Sequence, residues 1–171
     1  TMIHFDAHAD TANILEGNLA SHGTPMRRLI ESGAIPGDRF IQVGLRGYWP
    51  GEEDQKWMRD NGLRHFMMQE FWERGIPAVL EDLVLAAKER GDKTYISIDI
   101  DVLDPGFAPA TGTPEPGGFA PIDLLRIIRR LVLETDVVAF DVMEVAPAYD
   151  HADLTVNVAH RLIWEAFAAL A

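Results

Sequence analysis

The segment that most constrains the fold of this chain is residues 97–105, with the sequence SIDIDVLDP. Alternating residue types over residues 95–101 predict a buried strand, with three isoleucines on one face and Asp99 and Asp101 on the other. Two carboxylates at the end of an apolar strand repel each other and lose solvation, and a bound cation relieves both costs. Alternatively, the two aspartates cap a loop or pair with an arginine, and for an isolated Asp-x-Asp this alternative is favoured.

Composition limits the class of protein and of partner. A length of 171 residues fits one domain, so residues 1–171 are interpreted as a single domain. The formal net charge of −12 argues against nucleic acid or an anionic membrane as partner, and is compatible with a small cationic substrate. The absence of cysteine excludes disulfides and thiolate metal sites and favours the cytosol. No segment resembles a signal peptide or a membrane span, so we expect a cytoplasmic protein.

A second acidic cluster lies near the start of the sequence. Residues 3–7 predict a strand that runs into Asp6-Ala7-His8-Ala9-Asp10. If the strand continues, alternation places these acidic and histidine side chains on one side, and such donors suit Mn²⁺, Zn²⁺ or Fe²⁺. The alternative is a polar turn with a hydrogen-bonded histidine. His4 precedes the strand end and is interpreted as structural.

His22 lies at a predicted loop-to-helix junction. Thr24 is a typical N-cap residue and Pro25 a typical first helical residue, which predicts a helix over residues 25–32. A histidine just before this helix is free to reach a pocket and transfers protons near neutral pH. The alternative is a loop histidine bonded to the backbone, which the local sequence alone favours.

Strands and helices alternate along the chain. Glu144 follows a further predicted strand over residues 137–142. Continuously apolar strands alternating with helices predict a mostly parallel sheet covered on both faces, an α/β fold. Ligands bind beyond the carboxyl ends of such strands, where the acidic residues converge. The other predicted strands are 40–45 and 63–67; the other predicted helices are 52–61, 77–90 (ending at Gly91), 121–133 and 154–170 (capped by Asp153).

Four motifs in this order resemble the ureohydrolase family, which includes arginase, agmatinase and guanidinobutyrase. They are DAHAD at 6–10, SIDID at 97–101 with the following Asp-Pro, ATGTP at 110–114 and EVAP at 144–147. The resemblance spans almost the whole chain. It implies a three-layer α/β/α fold and hydrolysis of a guanidino group to an amine and urea, using two Mn²⁺ ions.

The resemblance also implies a metal-ligand set. Asp6 and Asp99 would bridge the two metals, Asp10 would complete the first metal, and His8 and Asp101 would complete the second. A hydroxide bridging the metals would then attack the guanidinium carbon. Carboxylates that bridge metals are held ionised by the metal charge.

Three further residues match functional positions of the family. His22 matches the proton-shuttling histidine, and Glu144 matches the glutamate that pairs with the substrate guanidinium. Thr113 lies where a loop supports that pocket. Relatives of this kind form trimers or hexamers, so we expect a homo-oligomer.

One motif of the family is missing from the sequence. The family supplies another metal-ligand histidine from a Gly-Gly-Asp-His segment upstream of the first motif, and the sequence has no such segment. The sequence also enters an apparent strand within its first residues. We therefore expect the C-terminal portion of a longer domain, without its N-terminal strands, or a processed subunit.

Three functions follow as hypotheses. The first is a binuclear manganese amidinohydrolase acting on agmatine or on a guanidino acid such as 4-guanidinobutyrate, with Arg46 suggested as the partner of a substrate carboxylate. The second is a non-catalytic metal-binding fragment or partner subunit. The third is a phosphoryl or glycosyl transferase using Asp99 and Asp101 with one metal, against which counts the lack of a glycine-rich phosphate loop before a helix.

Overall fold

Five parallel strands form the centre of the computed structural model, which describes residues 1–89 and 93–171. Their order across the sheet is β3-β2-β1-β4-β5, with every neighbouring pair parallel. The predicted parallel sheet is therefore confirmed. The strands are β1 (Met2–Phe5), β2 (Phe40–Val43), β3 (Arg64–Phe66), β4 (Thr94–Asp99) and β5 (Val137–Met143).

Six α-helices connect and cover the strands. They are α1 (Pro25–Glu31), α2 (Glu52–Asp60), α3 (Met68–Arg74), α4 (Ile76–Lys88), α5 (Pro121–Glu134) and α6 (Leu154–Leu170). Among the described residues, none of these helices has both the length and the apolar character needed to cross a membrane. The predicted end of a helix at Gly91 lies outside the described residues.

Apolar residues pack on both faces of the sheet, which gives the three expected layers. On one face, Ile3 and Phe5 of β1 belong to a large cluster that includes Val79 of α4 and Leu124 of α5. On the other face, Met2 packs in a smaller cluster with residues of β2, α1 and α2, namely Phe40, Ile30 and Met58. Alternation along β1 thus assigns successive side chains to opposite layers.

Helix α3 is absent from the helices predicted from the sequence. It is seven residues long, and its N-cap position is occupied by Met67 rather than by a residue with a capping oxygen. Instead, the Glu70 carboxylate accepts a hydrogen bond from the Met67 backbone N–H at 3.0 Å. Burial of Met68 and Phe71 stabilises this short helix through tertiary packing, which propensity alone does not show.

Both strands that carry the acidic motifs end earlier than predicted. β1 ends at Phe5, and β4 ends at Asp99, where a 3₁₀ turn over Ile100–Val102 begins. The Asp99 carboxylate accepts a hydrogen bond from the Asp101 backbone N–H at 3.0 Å and so closes this turn. The position of the Asp101 side chain is therefore determined by the geometry of this turn and not by alternation along a strand.

Neither of the two predicted N-cap side chains, those of Thr24 and Asp153, bonds to its helix. Asp153 precedes α6 in a left-handed conformation and makes no capping bond, so this prediction is wrong. The Asp150 carboxylate instead accepts hydrogen bonds from the backbone N–H groups of Thr155 (3.1 Å) and Val156 (2.9 Å). Thr24 occupies the N-cap position of α1, but its hydroxyl bonds to Ser21 backbone atoms rather than to the helix.

Gly44 follows β2 at a point where the chain passes close to the turn after β4. Its φ of +101° favours glycine, and a Cβ there would meet Val102 Cγ2 at 2.6 Å. Gly33 also has a positive φ, but a Cβ there would meet no atom within 4 Å.

We predict that Gly44→Ala lowers the free energy of unfolding by about 1–3 kcal/mol more than Gly33→Ala, because only Gly44→Ala overpacks a core contact. Urea denaturation of the two variants measures the difference. Equal losses in both variants would contradict the close approach.

Candidate active site

The carboxyl ends of β1, β4 and β5 border a cavity of about 490 Å³. The three strands end at the same edge of the sheet, as parallel neighbours do. Eight of the nine candidate site residues from the sequence line this cavity, all except Arg46: Asp6, His8, Asp10, His22, Asp99, Asp101, Thr113 and Glu144.

One cluster of possible metal ligands combines residues that follow β1 and β4. His8 Nδ1 lies 3.0 Å from Asp101 Oδ2 and 3.4 Å from Asp6 Oδ1. One ligand atom from each of these three residues lies within 4.8 Å of the others. Backbone N–H groups of Ala7 and His8 donate to the carboxylates of Asp101 (3.1 Å) and Asp6 (2.6 Å), so both carboxylates have fixed orientations.

A second cluster joins His4, Asp6 and Asp10, again with ligand atoms within 4.8 Å of one another. His4 is buried, and its Nε2 lies 3.2 Å from Asp6 Oδ2. The sequence predicted a structural role for His4. Its burial beside Asp6, outside the lining of the cavity, is compatible with that prediction.

Burial and mutual repulsion raise the pKa of two of the carboxyl groups. Desolvation, with the charge of Asp6 second, raises the pKa of Asp10 to about 8. Desolvation, with the charges of Asp6 and Asp101, raises the pKa of Asp99 to about 10. Hydrogen bonds to Asp101 and Asp6 raise the pKa of His8 to about 10. Carboxyl groups this easily protonated are typical of a site arranged for a positive charge.

The donor set fits divalent cations. Four carboxylates and an imidazole, without thiolate, suit Mn²⁺ and similar ions of hard to intermediate character. A cation between the carboxylates would offset both the burial and the mutual repulsion that raise the pKa of Asp10 and Asp99. These five side chains are therefore suited to binding divalent metal ions.

Thr113 and Glu144 approach the cluster from two loops. Thr113 Oγ1 donates a hydrogen bond to Asp101 Oδ2 at 3.3 Å. Glu144, the first residue after β5, has a left-handed backbone with φ of 61°. A Cβ at Gly112 would lie 3.6 Å from Glu144 Oε2, so the two loops are adjacent. Left-handed non-glycine residues are uncommon and cluster at functional sites.

His22 lies on the exposed side of the cavity, in the loop that precedes α1. Its Nδ1 lies 3.3 Å from the Ser21 hydroxyl oxygen. This partner is a side chain and not a backbone group. The contact therefore does not support the alternative of a loop histidine bonded to the backbone. An accessible imidazole at the cavity wall suits proton transfer with solvent.

Arg46 does not take the position suggested for it. Its side chain is only 6% exposed, and the residue does not line the cavity. Its guanidinium donates to six backbone carbonyls, those of Gly44, Asp101, Val102, Leu103, Glu115 and Pro116. With its donors engaged inside the protein, Arg46 is not available to a substrate carboxylate.

Sequence analysis missed most of the mouth of the cavity. Ile14, Leu15, Trp49 and Pro50 supply apolar surface there, and Asp54 supplies a carboxylate. Trp49 is 68% exposed and lines the cavity. These residues lie in loops and at the start of α2, where hydrophobic periodicity carries no information about a shared cavity.

Comparison with known proteins places the chain in a family. The model of the arginase family matches residues 1–169. Guanidinopropionase of Pseudomonas aeruginosa is 41% identical over 99% of this chain and 53% of its own length. Mitochondrial agmatinase of Gallus gallus is 36% identical over 99% of this chain and 49% of its own length.

A solved structure agrees with the fold. Formimidoylglutamase from Bacillus subtilis superposes with a TM-score of 0.92 and 28% identity, over 99% of this chain and 52% of that chain. The chain thus spans about half the length of the relatives that it matches. The resemblance seen in the four motifs is confirmed, and the chain belongs to the arginase family.

Proposed function

We propose that this chain carries the metal centre of an amidinohydrolase that hydrolyses a guanidino compound to an amine and urea. The single observation that carries the proposal is the convergence of five metal-ligand residues and Glu144 on one cavity. The relatives named guanidinopropionase and agmatinase support a guanidino substrate. We propose that residues 1–171 form the C-terminal portion of one catalytic domain.

Two Mn²⁺ ions are the proposed cofactor. Asp6 and Asp99 would bridge the ions, Asp10 would bind the first, and His8 and Asp101 would bind the second. When bound, such a pair supplies water activation at neutral pH and compensation of negative charge. The chain's own contribution is a preoriented set of donors, since backbone N–H groups already hold the carboxylates of Asp6 and Asp101.

Three residues perform the proposed substrate chemistry. Glu144 accepts the planar guanidinium in a bidentate contact and orients its carbon towards the carboxylate cluster. Thr113 holds Asp101 in place through the 3.3 Å hydrogen bond. His22 transfers a proton to the leaving amine from the solvent side.

The cavity supports a linear guanidino substrate. Its base is acidic, and its mouth is largely apolar, with Ile14, Leu15 and Trp49 beside the path of an alkyl chain. Agmatine and guanidino acids such as 4-guanidinobutyrate both have this form. Assembly into a trimer or hexamer stays a prediction from the family resemblance, and a cytoplasmic location stays a prediction from the sequence.

A non-catalytic metal-binding fragment or partner subunit is the second candidate. The observation favouring it is that the chain spans only about half the length of the relatives that it matches. The two candidates differ in metal content and turnover. After Mn²⁺ loading, two ions per chain with urea release from agmatine, 4-guanidinobutyrate or arginine support the enzyme, whereas one ion and no urea support the fragment.

We predict that Asp101→Asn lowers urea release at least ~100-fold, more than the 10–100-fold loss typical of outer-shell partners, because a ligand itself is removed. Metal content per chain should fall with it. Asp123→Asn, which removes the acidic residue in the first turn of α5, is the matched control. It should change neither urea release nor metal content. Full activity in Asp101→Asn would exclude the proposed metal centre.

We predict that His22→Asn lowers kcat about 10²–10⁴-fold without changing metal content, because it removes a proton-transfer group and no metal ligand. Steady-state kinetics and elemental analysis measure the two quantities. His151→Asn, an exposed loop histidine outside the cavity, is the control. A parallel loss of metal would argue that His22 acts structurally.

We predict that the Tm of the metal-stripped protein falls as pH rises from 5.5 to 8.5. The folded protein holds protons on Asp10 and Asp99, with pKa values of about 8 and 10, while the unfolded chain releases them near pH 4. Because the unfolded state binds fewer protons in this range, stability falls with pH. His8, with its pKa raised to about 10, acts in the same direction.

Saturating Mn²⁺ should therefore raise Tm more at pH 8.5 than at pH 5.5, as differential scanning calorimetry would show. The double variant Asp10→Asn/Asp99→Asn should lose most of the pH dependence in the metal-stripped state. A Tm independent of pH in the stripped wild-type protein would be evidence against this account.

A further inference from the structure

Arg46 connects three segments that form the candidate active site. Its Nη2 donates to the carbonyls of Asp101 (2.7 Å) and Leu103 (3.2 Å), in the turn after β4. The same nitrogen donates to the carbonyl of Glu115 (2.5 Å), and Nε donates to that of Pro116 (3.0 Å), in the loop that carries Thr113.

The third segment is the one that follows β1. The Arg46 backbone N–H donates to the carbonyl of Ala7 at 3.0 Å. Ala7 lies between Asp6 and His8, and its own N–H donates to Asp101 Oδ1 at 3.1 Å. One residue thus touches the backbone of every segment that supplies the cluster of Asp6, His8 and Asp101.

A buried guanidinium held by backbone carbonyls is suited to fixing a turn. Arginine presents five N–H donors in a rigid planar fork, whereas the ammonium group of lysine is a compact point charge with three donors. Carbonyls that converge on one cation repel one another when it is removed. The turn at residues 101–103 and the loop at 115–116 therefore depend on Arg46 for their mutual position.

We propose that Arg46 is a positioning residue for the second metal site. By holding these two segments together, it brings the Thr113 hydroxyl to Asp101 Oδ2 and aims that carboxylate at His8. The expected effect of Arg46 on catalysis rests on the proposed function, whereas its expected effect on metal affinity does not.

The test compares Arg46→Lys with two controls in the full natural chain. Arg126→Lys makes the same substitution at an exposed position of α5. Leu124→Ala removes a fully buried side chain of the same helix and lowers stability without touching the cavity. Mn²⁺ binding is measured by calorimetric titration, and kcat and KM are measured for the best guanidino substrate.

The expected result for Arg46→Lys is a loss of about 10–100-fold in affinity for the more weakly held Mn²⁺ ion, as for other outer-shell partners. We expect kcat to fall with it and KM to stay within about twofold. Neither control should show this loss. Wild-type Mn²⁺ affinity in folded Arg46→Lys, with only a stability loss like that of Leu124→Ala, would overturn the proposal.

A second measurement covers the case in which Arg46→Lys does not fold. Hydrogen exchange in the wild-type protein should show the amides of Leu103, Asp104 and Phe119 protected before Mn²⁺ is added, because Arg46 organises these segments. Protection that appears only with Mn²⁺ would overturn the proposal. If Mn²⁺ affinity falls in Arg46→Lys while the wild-type protein releases no urea, the positioning role stands and the proposed function fails.

Discussion

The repulsion among four carboxylates at one edge of the sheet is the constraint on which the rest of the site depends. Asp6, Asp10, Asp99 and Asp101 reach this edge because β1 and β4 are adjacent and parallel. Burial strengthens their interaction, since the low dielectric screens it little. His8 and the surrounding N–H donors offset part of the repulsion, and a divalent cation would offset the remainder.

The backbone leaves regular geometry at the acidic residues of the candidate site. β4 gives way to a 3₁₀ turn at Asp99, and both Asp10 and Glu144 have left-handed φ values. Such conformations persist only where the surroundings enforce them. Here Gly44 permits a close approach to Val102, and Arg46 holds the carbonyls of the turn. The left-handed backbone of Asp10 and Glu144 and the packing of Gly44 and Arg46 against the turn therefore stabilise the same arrangement of the site.

Buried carboxylates and exposed apolar side chains line the same cavity. Asp6, Asp99 and Asp101 are buried, whereas Ile14 and Trp49 are exposed. The proposed substrate, a guanidinium on an alkyl chain, would place its charged end near Glu144 and its methylene groups beside the apolar side chains. The membership of the arginase family agrees with this chemistry, although the chain spans only about half the length of its relatives.

The sequence by itself determined the parallel α/β sheet, the order of its strands along the chain, and the eight residues that meet in the cavity. These follow from hydrophobic periodicity and from short motifs at strand ends, which are local properties. Only the tertiary structure decided where the strands stop, that Asp150 rather than Asp153 caps α6, and that Arg46 faces inward. The end of β4 and the cap depend on turn geometry, because each needs backbone N–H groups at the right angle to a carboxylate. The position of Arg46 depends on carbonyls of the turn at residues 101–103 and of the loop at 115–116, which meet its guanidinium only after folding.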